Sequence, residues 1–197
     1  MSTEAVLAAV DGDVTHVLPS APAARMASRA LQELPAGCAA FLDGGALTLT
    51  VVAALPLDTV LTVVTNAVAI ASMLAGHSHV EVLLLGGWLD GATASSVQTR
   101  CTDLPKEIHV DVAILSATGV SVQRGLSTRH VNEAELKRTM VRCAERTVAL
   151  VDYSGVGTDS LVNFATLRDI DTLIVGGVPA VVDRGALAGI GARAVYV

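Results

Sequence analysis

The stretch FLDGGALTLT, Phe41–Thr50, decides how the surrounding sequence is interpreted. An apolar run enters an acid and two glycines and then becomes apolar again. We interpret Phe41 and Leu42 as the end of a buried strand and Asp43-Gly44-Gly45 as the corner that follows it. The continuation ALTLTVVAALP alternates like a strand in its first half and ends like a helix, so periodicity alone leaves both structures open.

Short runs of β-branched and aliphatic residues alternate with Ala-rich segments along the rest of the chain. The runs that read as strands are CAAFLD, VLTVVT, VEVLLL, DVAILS, TVALVD and TLIVGG, with AVYV as one more. This alternation predicts an α/β fold, a mostly parallel sheet with helices on both faces. Ligands of such sheets bind at the carboxyl ends of the strands, so the residues after each run are the candidate site.

The composition argues against several classes of protein. The 197 residues are 52% hydrophobic and 16% charged, with a net charge of -6, which fits one compact domain with a core of Ala, Val and Leu. The negative charge argues against nucleic acid or an acidic membrane surface as a direct partner. Polar residues interrupt the apolar segment VLTVVTNAVAIASMLAG, which we interpret as a strand, a polar turn and a buried helix rather than a membrane span.

The cysteines and the amino-terminal segment indicate the compartment and the domain boundary. Cys38, Cys101 and Cys143 are far apart and odd in number, which predicts free thiols in a reducing compartment and suggests no zinc site. We expect a cytoplasmic protein, because MSTEAVLAAVDGDV lacks the basic region of a secretory signal. No metal or other cofactor is expected. Residues 1–22 are predicted to be a linker or a truncated end and 23–197 the folded domain, with a first helix in AARMASRALQELPAG.

Hydroxyl, amide and glycine residues recur just after the predicted strands. They are Asp43-Gly44-Gly45, Thr65-Asn66, Gly86-Gly87, Ser116-Ala117-Thr118-Gly119 and Asp152-Tyr153-Ser154. Glycines let a ligand approach backbone N–H groups, and a following helix N-terminus adds donors and a positive dipole end, which together favour phosphate or carboxylate. Asp43 would accept hydrogen bonds from sugar hydroxyls. Each of these residues taken singly can also be an ordinary turn residue of a parallel sheet. Their recurrence after several strands is stronger evidence for a ligand site than any one of them.

From about Arg25 to Gly177 the sequence resembles the C-terminal effector-sensing domain of DeoR-type transcriptional repressors. The matching segments are FLDGGALTLT, LTVVTNAVAIASMLAG, VEVLLLGGWLDGAT, DVAILSATGVSVQRGLSTRHVNEAELKRTM, VALVDYSGVG and DIDTLIVGG. The resemblance implies the fold of the sugar-phosphate isomerases, of the ribose-5-phosphate isomerase type, and makes LTLTVVAALP a helix. It also implies a domain that binds a phosphorylated sugar or a related metabolite.

The sequence departs from the family pattern where an anion would be held. The family corner is typically Asp-Ser-Gly-Thr-Thr, so Gly44, Ala46 and Leu47 remove three hydroxyls. Gly155 stands where the family has a lysine, and Thr118 stands where the family commonly has an aspartate. A lysine–phosphate contact contributes ~1.5–3 kcal/mol, so we expect affinity to depend more on sugar hydroxyls than on phosphate.

The segment VNEAELKRTMVRCAER carries three charged residues of interest, Glu133, Glu135 and Lys137. From the residues alone, Asn132 can cap a helix with Glu135 in a capping box, and Glu133 can pair with Lys137 four residues later. The resemblance implies instead that this segment lies beside the pocket, with one glutamate near the position of the base in the related isomerase.

The function expected from the sequence is that of a ligand-sensing domain of a DeoR-family regulator of sugar metabolism, not of an enzyme. The candidate ligand-binding residues are Asp43, Gly44, Gly45, Thr65, Asn66, Gly86, Gly87, Thr118, Gly119, Glu133, Glu135 and Lys137. The alternatives are an isomerase-like enzyme with Glu133 or Glu135 as its base, and a degenerate domain that binds no small molecule. Residues 1–22 have no room for a winged helix-turn-helix, so DNA contact is expected only through a domain absent from this chain, and self-association is expected through apolar surface.

Overall fold

A seven-stranded sheet forms the centre of the computed structural model, which describes residues 20–90, 95–97, 108–177 and 192–197. Its strands are β1 (Ala39–Leu42), β2 (Leu61–Thr65), β3 (Val80–Leu84), β6 (Val110–Ala117), β9 (Ala144–Asp152), β11 (Thr172–Gly176) and β12 (Arg193–Tyr196). They lie in the order β12-β11-β9-β6-β1-β2-β3, and all neighbours are parallel. Each predicted strand run therefore belongs to this sheet, and the predicted α/β class is confirmed.

Helices cover both faces of the sheet, as predicted. The described α-helices are α1 (Ala21–Leu31), α2 (Ala46–Ala53), α3 (Val68–Leu74) and α4 (Val131–Cys143), and two short 3-10 turns lie at Tyr153–Gly155 and Leu167–Asp169. Buried residues of α1, α2 and α3 share one hydrophobic core with the sheet, and those of α4 share the other.

Helix α1 begins slightly before the predicted domain boundary. The Ser20 hydroxyl accepts a hydrogen bond from the backbone N–H of Ala23, and Pro22 lies in the first turn, where its missing N–H costs nothing. Ala21 and Pro22, which the predicted linker included, thus belong to the helix. Residues 1–19 of that linker lie outside the described part of the chain.

Successive residues of the central strands point into opposite cores. Ile114 and Leu150 lie in the core shared with α1–α3, whereas Leu115 and Val151 lie in the core shared with α4. Because both faces are covered, the strands are almost continuously apolar instead of alternating with polar residues.

The ambiguous segment after the glycine corner is a helix. Strands β1 and β2 are parallel neighbours, and a parallel pair needs a crossover connection that returns the chain to the starting edge. Helix α2 makes that crossover and buries Leu49, Val51 and Val52. The next apolar segment forms β2, a turn and α3, as predicted, and none of the described helices is long and apolar enough to cross a membrane.

Two small antiparallel sheets were not predicted. One consists of β7 (Gly119–Ser121), β8 (Gly125–Thr128) and β10 (Val162–Ala165), and the other of β4 (Trp88–Asp90) and β5 (Ser95–Val97). These strands have only three or four residues, and several contain Gly or Ser, so their sequences carry little strand signal. A bridge between Ala67 and Ser95 attaches β5 to the carboxyl end of β2.

The strand order reverses between β1 and β6. From β1 the chain adds β2 and β3 on one side, and β6, β9, β11 and β12 then continue on the other side. Open parallel sheets bind their ligands in the crevice at such a reversal, outside the carboxyl ends of the two strands. The fold therefore places the candidate site at the ends of β1 and β6.

Candidate functional site

Asp43 and Ser116 lie side by side at this reversal. Leu42 of β1 is in register with Ile114 of β6, so the residues that follow meet at the carboxyl edge. The backbone N–H and the hydroxyl of Ser116 both donate to Oδ2 of Asp43, each at 2.9 Å. The corner quoted at the outset is thus joined directly to the neighbouring strand.

The carboxylate of Asp43 is held entirely by donors of the protein. Its Oδ1 accepts from the Gly45 backbone N–H at 3.2 Å and from the Thr48 hydroxyl, and Oδ2 accepts from Ser116 and from the Lys137 ammonium. The residue is 2% exposed. The structure therefore revises the role predicted for Asp43, because oxygens that already accept from these donors are not available to the hydroxyls of a sugar.

Lys137 reaches the same point from α4. Its Nζ lies 2.6 Å from Oδ2 of Asp43, 2.6 Å from the carbonyl oxygen of Ser116 and 3.2 Å from the Ser116 hydroxyl. It also lies 5.4 Å from the centre of the Phe164 ring, within the range of a cation–π contact. A lysine has three N–H donors, and each has an oxygen acceptor here.

The ion pair controls the charge of Asp43. Burial by itself would raise the pKa of this carboxyl, but the Lys137 ammonium and the hydrogen bonds from Lys137, Thr48 and Ser116 hold its pKa below the ordinary value. Asp43 is therefore a carboxylate and Lys137 its counter-ion, so the two charges cancel within the site.

The local pairings considered for the α4 sequence are not formed. The N-cap of α4 is His130, without a capping side chain, so the capping box proposed for Asn132 is wrong. Glu133 accepts from the Thr128 hydroxyl of β8, while Lys137 points to Asp43. Glu135 is exposed, and neither glutamate is among the residues bonded to the Asp43–Lys137 pair.

The two glycines of the corner are needed for close packing. A Cβ on Gly45 would lie 1.8 Å from the Ser116 hydroxyl oxygen, and one on Gly44 would lie 2.3 Å from the Ser95 hydroxyl oxygen and 3.4 Å from Cβ of Ala67. The space beside the corner is thus filled by serines from β6 and β5. Ser95 was not predicted as part of the site, because only the bridge between Ser95 and Ala67 brings it there.

Thr65 and Asn66 continue the site at the end of β2. The Thr65 hydroxyl donates to the Leu42 carbonyl at 2.7 Å and accepts from the Ala67 backbone N–H at 3.1 Å. The Asn66 side-chain amide donates to the Ser96 carbonyl at 3.2 Å, and the Ser96 backbone N–H donates to the Asn66 carbonyl at 2.9 Å. Oδ1 of Asn66 is buried and has no hydrogen-bond partner among the described residues.

The remaining predicted positions follow the ends of β3 and β6. Gly86 and Gly87 are exposed beyond the end of β3, at the edge of the sheet. Thr118 donates its backbone N–H to the Ser127 carbonyl at 3.0 Å, and a Cβ on Gly119 would lie 2.7 Å from the Thr158 carbonyl oxygen. Thr118 and Gly119 thus form the turn from β6 into β7.

Gly155, Cys38 and Cys143 are the other positions that the sequence singles out. A Cβ on Gly155 would lie 2.5 Å from the Thr118 carbonyl oxygen, so a lysine there would require the backbone to move. Cys38 and Cys143 are buried cysteines whose thiol pKa is raised by burial, and Cys101 lies outside the described residues. Within the described ranges, no three His, Cys, Asp or Glu side chains are grouped to hold a metal ion.

Comparison with known protein families identifies the family of this chain. The family described as the DeoR C terminal sensor domain matches residues 22–177. The chain belongs to the DeoR family. This DeoR sensor domain is 34% identical over 152 residues to the HTH-type transcriptional regulator GlpR of Haloferax volcanii, covering 77% of the chain and 59% of that protein. It is 24% identical over 157 residues to the glycerol-3-phosphate regulon repressor of Escherichia coli K12, covering 80% of the chain and 62% of that protein.

The DeoR sensor domain thus spans about three fifths of the length of these relatives. Among solved structures it resembles ribose 5 phosphate isomerase A from Neisseria gonorrhoeae, with a TM-score of 0.52 and 13% identity over 73% of this chain and 55% of that chain. It also resembles eIF2B beta from Chaetomium thermophilum, with a TM-score of 0.51 and 12% identity over 77% of this chain and 47% of that chain. At such low identity these likenesses establish the fold alone, and they confirm the fold that the sequence resemblance implied.

Proposed function

We propose that this DeoR sensor domain binds a small hydroxylated metabolite, a sugar phosphate or a polyol, at the carboxyl ends of β1, β2 and β6. The observation that carries the proposal is the buried Asp43–Lys137 pair at the reversal of strand order. A buried ion pair contributes little net stability to a fold, and this one lies where parallel sheets bind ligands. We infer that the pair shapes the floor of the pocket and does not itself bind the ligand.

The N-terminus of α2 supplies the attraction for an anion in this proposal. Gly45 is its N-cap, and no side chain caps the helix, so first-turn N–H groups and the positive end of the helix dipole remain for a ligand. Because Asp43 already neutralises Lys137, the lysine adds no net charge. Phosphorylated and free forms of the same sugar should therefore differ in affinity only modestly, by about tenfold.

The proposal assigns no catalysis to the domain. Isomerisation of a sugar phosphate requires a positioned base that can take a proton from the substrate. Glu133 is hydrogen-bonded to Thr128, Glu135 is exposed, and Asp43 already accepts from donors on both oxygens. These contacts support a sensor more than an enzyme.

We propose further that the chain works in the cytoplasm as the sensing part of a longer regulator. The relatives are named as transcriptional regulators, one of them a repressor of the glycerol-3-phosphate regulon, and they extend beyond the matched segment. In this proposal a separate amino-terminal domain reads DNA, and the ligand changes how the sensor domains associate.

A thermal-shift screen tests the binding proposal. The panel contains glycerol 3-phosphate, glucose 6-phosphate, fructose 1-phosphate and their unphosphorylated counterparts, with inorganic phosphate and sulfate as controls for general anion binding. A ligand at a hundred times its Kd stabilises by ~2.7 kcal/mol, which should raise Tm by about 5–10 °C for a chain of this size. If no sugar or polyol shifts Tm at millimolar concentration, or if sulfate does so equally well, the proposal fails.

A further inference from the structure

The side-chain carbonyl of Asn66 lacks a partner at the place where a ligand is proposed to bind. Asn66 is 8% exposed, and its Oδ1 has no hydrogen-bond donor among the described residues. Burying a carbonyl oxygen without a hydrogen bond is unfavourable, and folded proteins rarely contain such an unpaired oxygen. Such an atom marks a position where a donor beyond the described residues can supply the hydrogen bond.

The orientation of the amide is fixed by its other end. Nδ2 donates to the Ser96 carbonyl at 3.2 Å, and reversing the amide would place Oδ1 against that carbonyl oxygen, where two acceptors repel. Backbone pairing of Ser96 with Asn66 holds the two residues together. The unpartnered atom is therefore the oxygen, and the missing group is a donor.

Asn66 lies next to the corner that forms the centre of the site. Leu42 of β1 is in register with Thr65 of β2, so Asp43 and Asn66 follow on neighbouring strands at the same edge. The next residue, Ala67, has its Cβ 3.4 Å from the position that a Cβ on Gly44 would take. The backbones of Asp43 and Asn66 thus lie about one strand spacing, ~4.8 Å, apart.

We infer that Oδ1 of Asn66 accepts a hydrogen bond from a hydroxyl of the bound metabolite, which makes Asn66 a specificity-determining residue. This inference rests on the proposed function and narrows the ligand class. A fully deprotonated anion such as sulfate offers no donor to Asn66, whereas a sugar or polyol, phosphorylated or not, presents a hydroxyl that can donate there. The site is therefore selective for a free hydroxyl at one position of the ligand.

The variant Asn66→Leu tests the inference, since leucine has a similar shape and no acceptor. Isothermal titration is carried out with the panel compound that stabilises the wild-type chain most, among glucose 6-phosphate, fructose 1-phosphate and glycerol 3-phosphate, and with its monodeoxy analogues. We expect Asn66→Leu to weaken binding of the parent compound about tenfold or more. One deoxy analogue should bind the wild type as weakly, and Asn66→Leu should not weaken it further.

The stability of the unliganded variant separates this role from a structural one. Asn66→Leu loses one bond to Ser96 but also removes an unpaired acceptor, so its Tm should stay within about 3 °C of the wild type or rise. Thr65→Val is the comparison, because Thr65 is a buried neighbour with two protein partners, and its Tm should fall clearly.

Three results would overturn the inference. If Asn66→Leu destabilises the unliganded chain as much as Thr65→Val, Asn66 acts through the fold and not on the ligand. If the wild type and Asn66→Leu bind the parent compound equally, an ordered water alone satisfies the oxygen, and the proposed function survives without this part of it. If no panel compound binds the wild type, the proposed function fails and this inference fails with it.

Discussion

Asp43 and Lys137 depend on each other because neither can be hydrated where it lies. Their side chains are 3% and 6% exposed, and 2.6 Å separates Nζ of Lys137 from Oδ2 of Asp43. We expect Lys137→Met to destabilise the fold by about 3–5 kcal/mol, since it leaves a buried carboxylate without its cation. The double variant Asp43→Asn/Lys137→Met should cost clearly less than the sum of the two single changes, as measured by urea unfolding.

The surface pair His109–Glu145 provides the control for this experiment. Its side chains are 71% and 62% exposed, so Glu145→Gln should change stability by no more than about 0.5 kcal/mol. Additive costs for Asp43→Asn and Lys137→Met would contradict the mutual dependence of the buried pair.

The pH dependence of stability reports on the same carboxylate. Because the pKa of Asp43 is lowered in the folded chain, its contribution is fully present above the unfolded value of ~3.9 and is lost as pH falls through the folded value. The difference in Tm between the wild type and Asp43→Asn should therefore be constant from about pH 5 to pH 7 and shrink below about pH 4. A difference that grows as the pH falls would count against the ion pair.

The sequence indicates that Asp43 belongs to the site but not what it bonds to. Its position after a buried strand predicts its place at the carboxyl edge, and the structure agrees. Its partners Ser116 and Lys137 are 73 and 94 residues away along the chain, and no local pattern links them. The sequence therefore offered the nearby pair Glu133–Lys137 as one of two interpretations, and the structure pairs Lys137 with Asp43 instead.

The glycine corner after β1 packs closely against the strand β5. A Cβ on Gly44 would lie 2.3 Å from the Ser95 hydroxyl oxygen, so we expect Gly44→Ala to destabilise by about 1–3 kcal/mol through overpacking. Adding Ser95→Gly makes room for the new methyl group, and the double variant should recover at least about 1 kcal/mol of that loss in urea unfolding.

Gly76 provides the matched control for Gly44. A Cβ on Gly76 has no atom within 4 Å, so Gly76→Ala should be neutral or slightly stabilising, because alanine narrows the unfolded ensemble. If Ser95→Gly fails to rescue Gly44→Ala, then β5 does not pack on the corner in solution.

Strands could be predicted from the sequence where they belong to the buried main sheet. The central strands of the main sheet contribute buried apolar residues to both cores, and this apolar pattern is the one from which the strands were predicted. Helix α2 could not be assigned from its own residues, since the requirement for a crossover lies in the pairing of β1 with β2. The strands β7, β8 and β10 were missed because they are short and depend on one another for pairing.

Large apolar side chains lie exposed on the described surface of a chain that carries few charges. The 197 residues include 13 Lys or Arg and 19 Asp or Glu, and Leu57, Trp88 and Leu161 are 76%, 81% and 74% exposed. Large exposed apolar side chains in such a chain favour association. We expect light scattering after size exclusion to give a dimer or larger assembly at micromolar concentration.

Charged variants test whether that surface is responsible. Leu57→Lys and Trp88→Lys should shift the chain toward monomer, whereas Gln123→Lys, at an exposed polar position, should leave the assembly unchanged. A wild-type chain that is monomeric at micromolar concentration would refute the expected self-association.

The pairing of β1 with β6 has a consequence for the protein while it is being made. Asp43 is synthesised 94 residues before Lys137, and the strands between them include both neighbours of β1. A nascent chain still attached to the ribosome thus holds the glycine corner long before it holds the lysine that pairs with Asp43. If the proposed effector binds above this pair, it can stabilise only chains translated beyond α4, and shorter translation products remain unprotected by it.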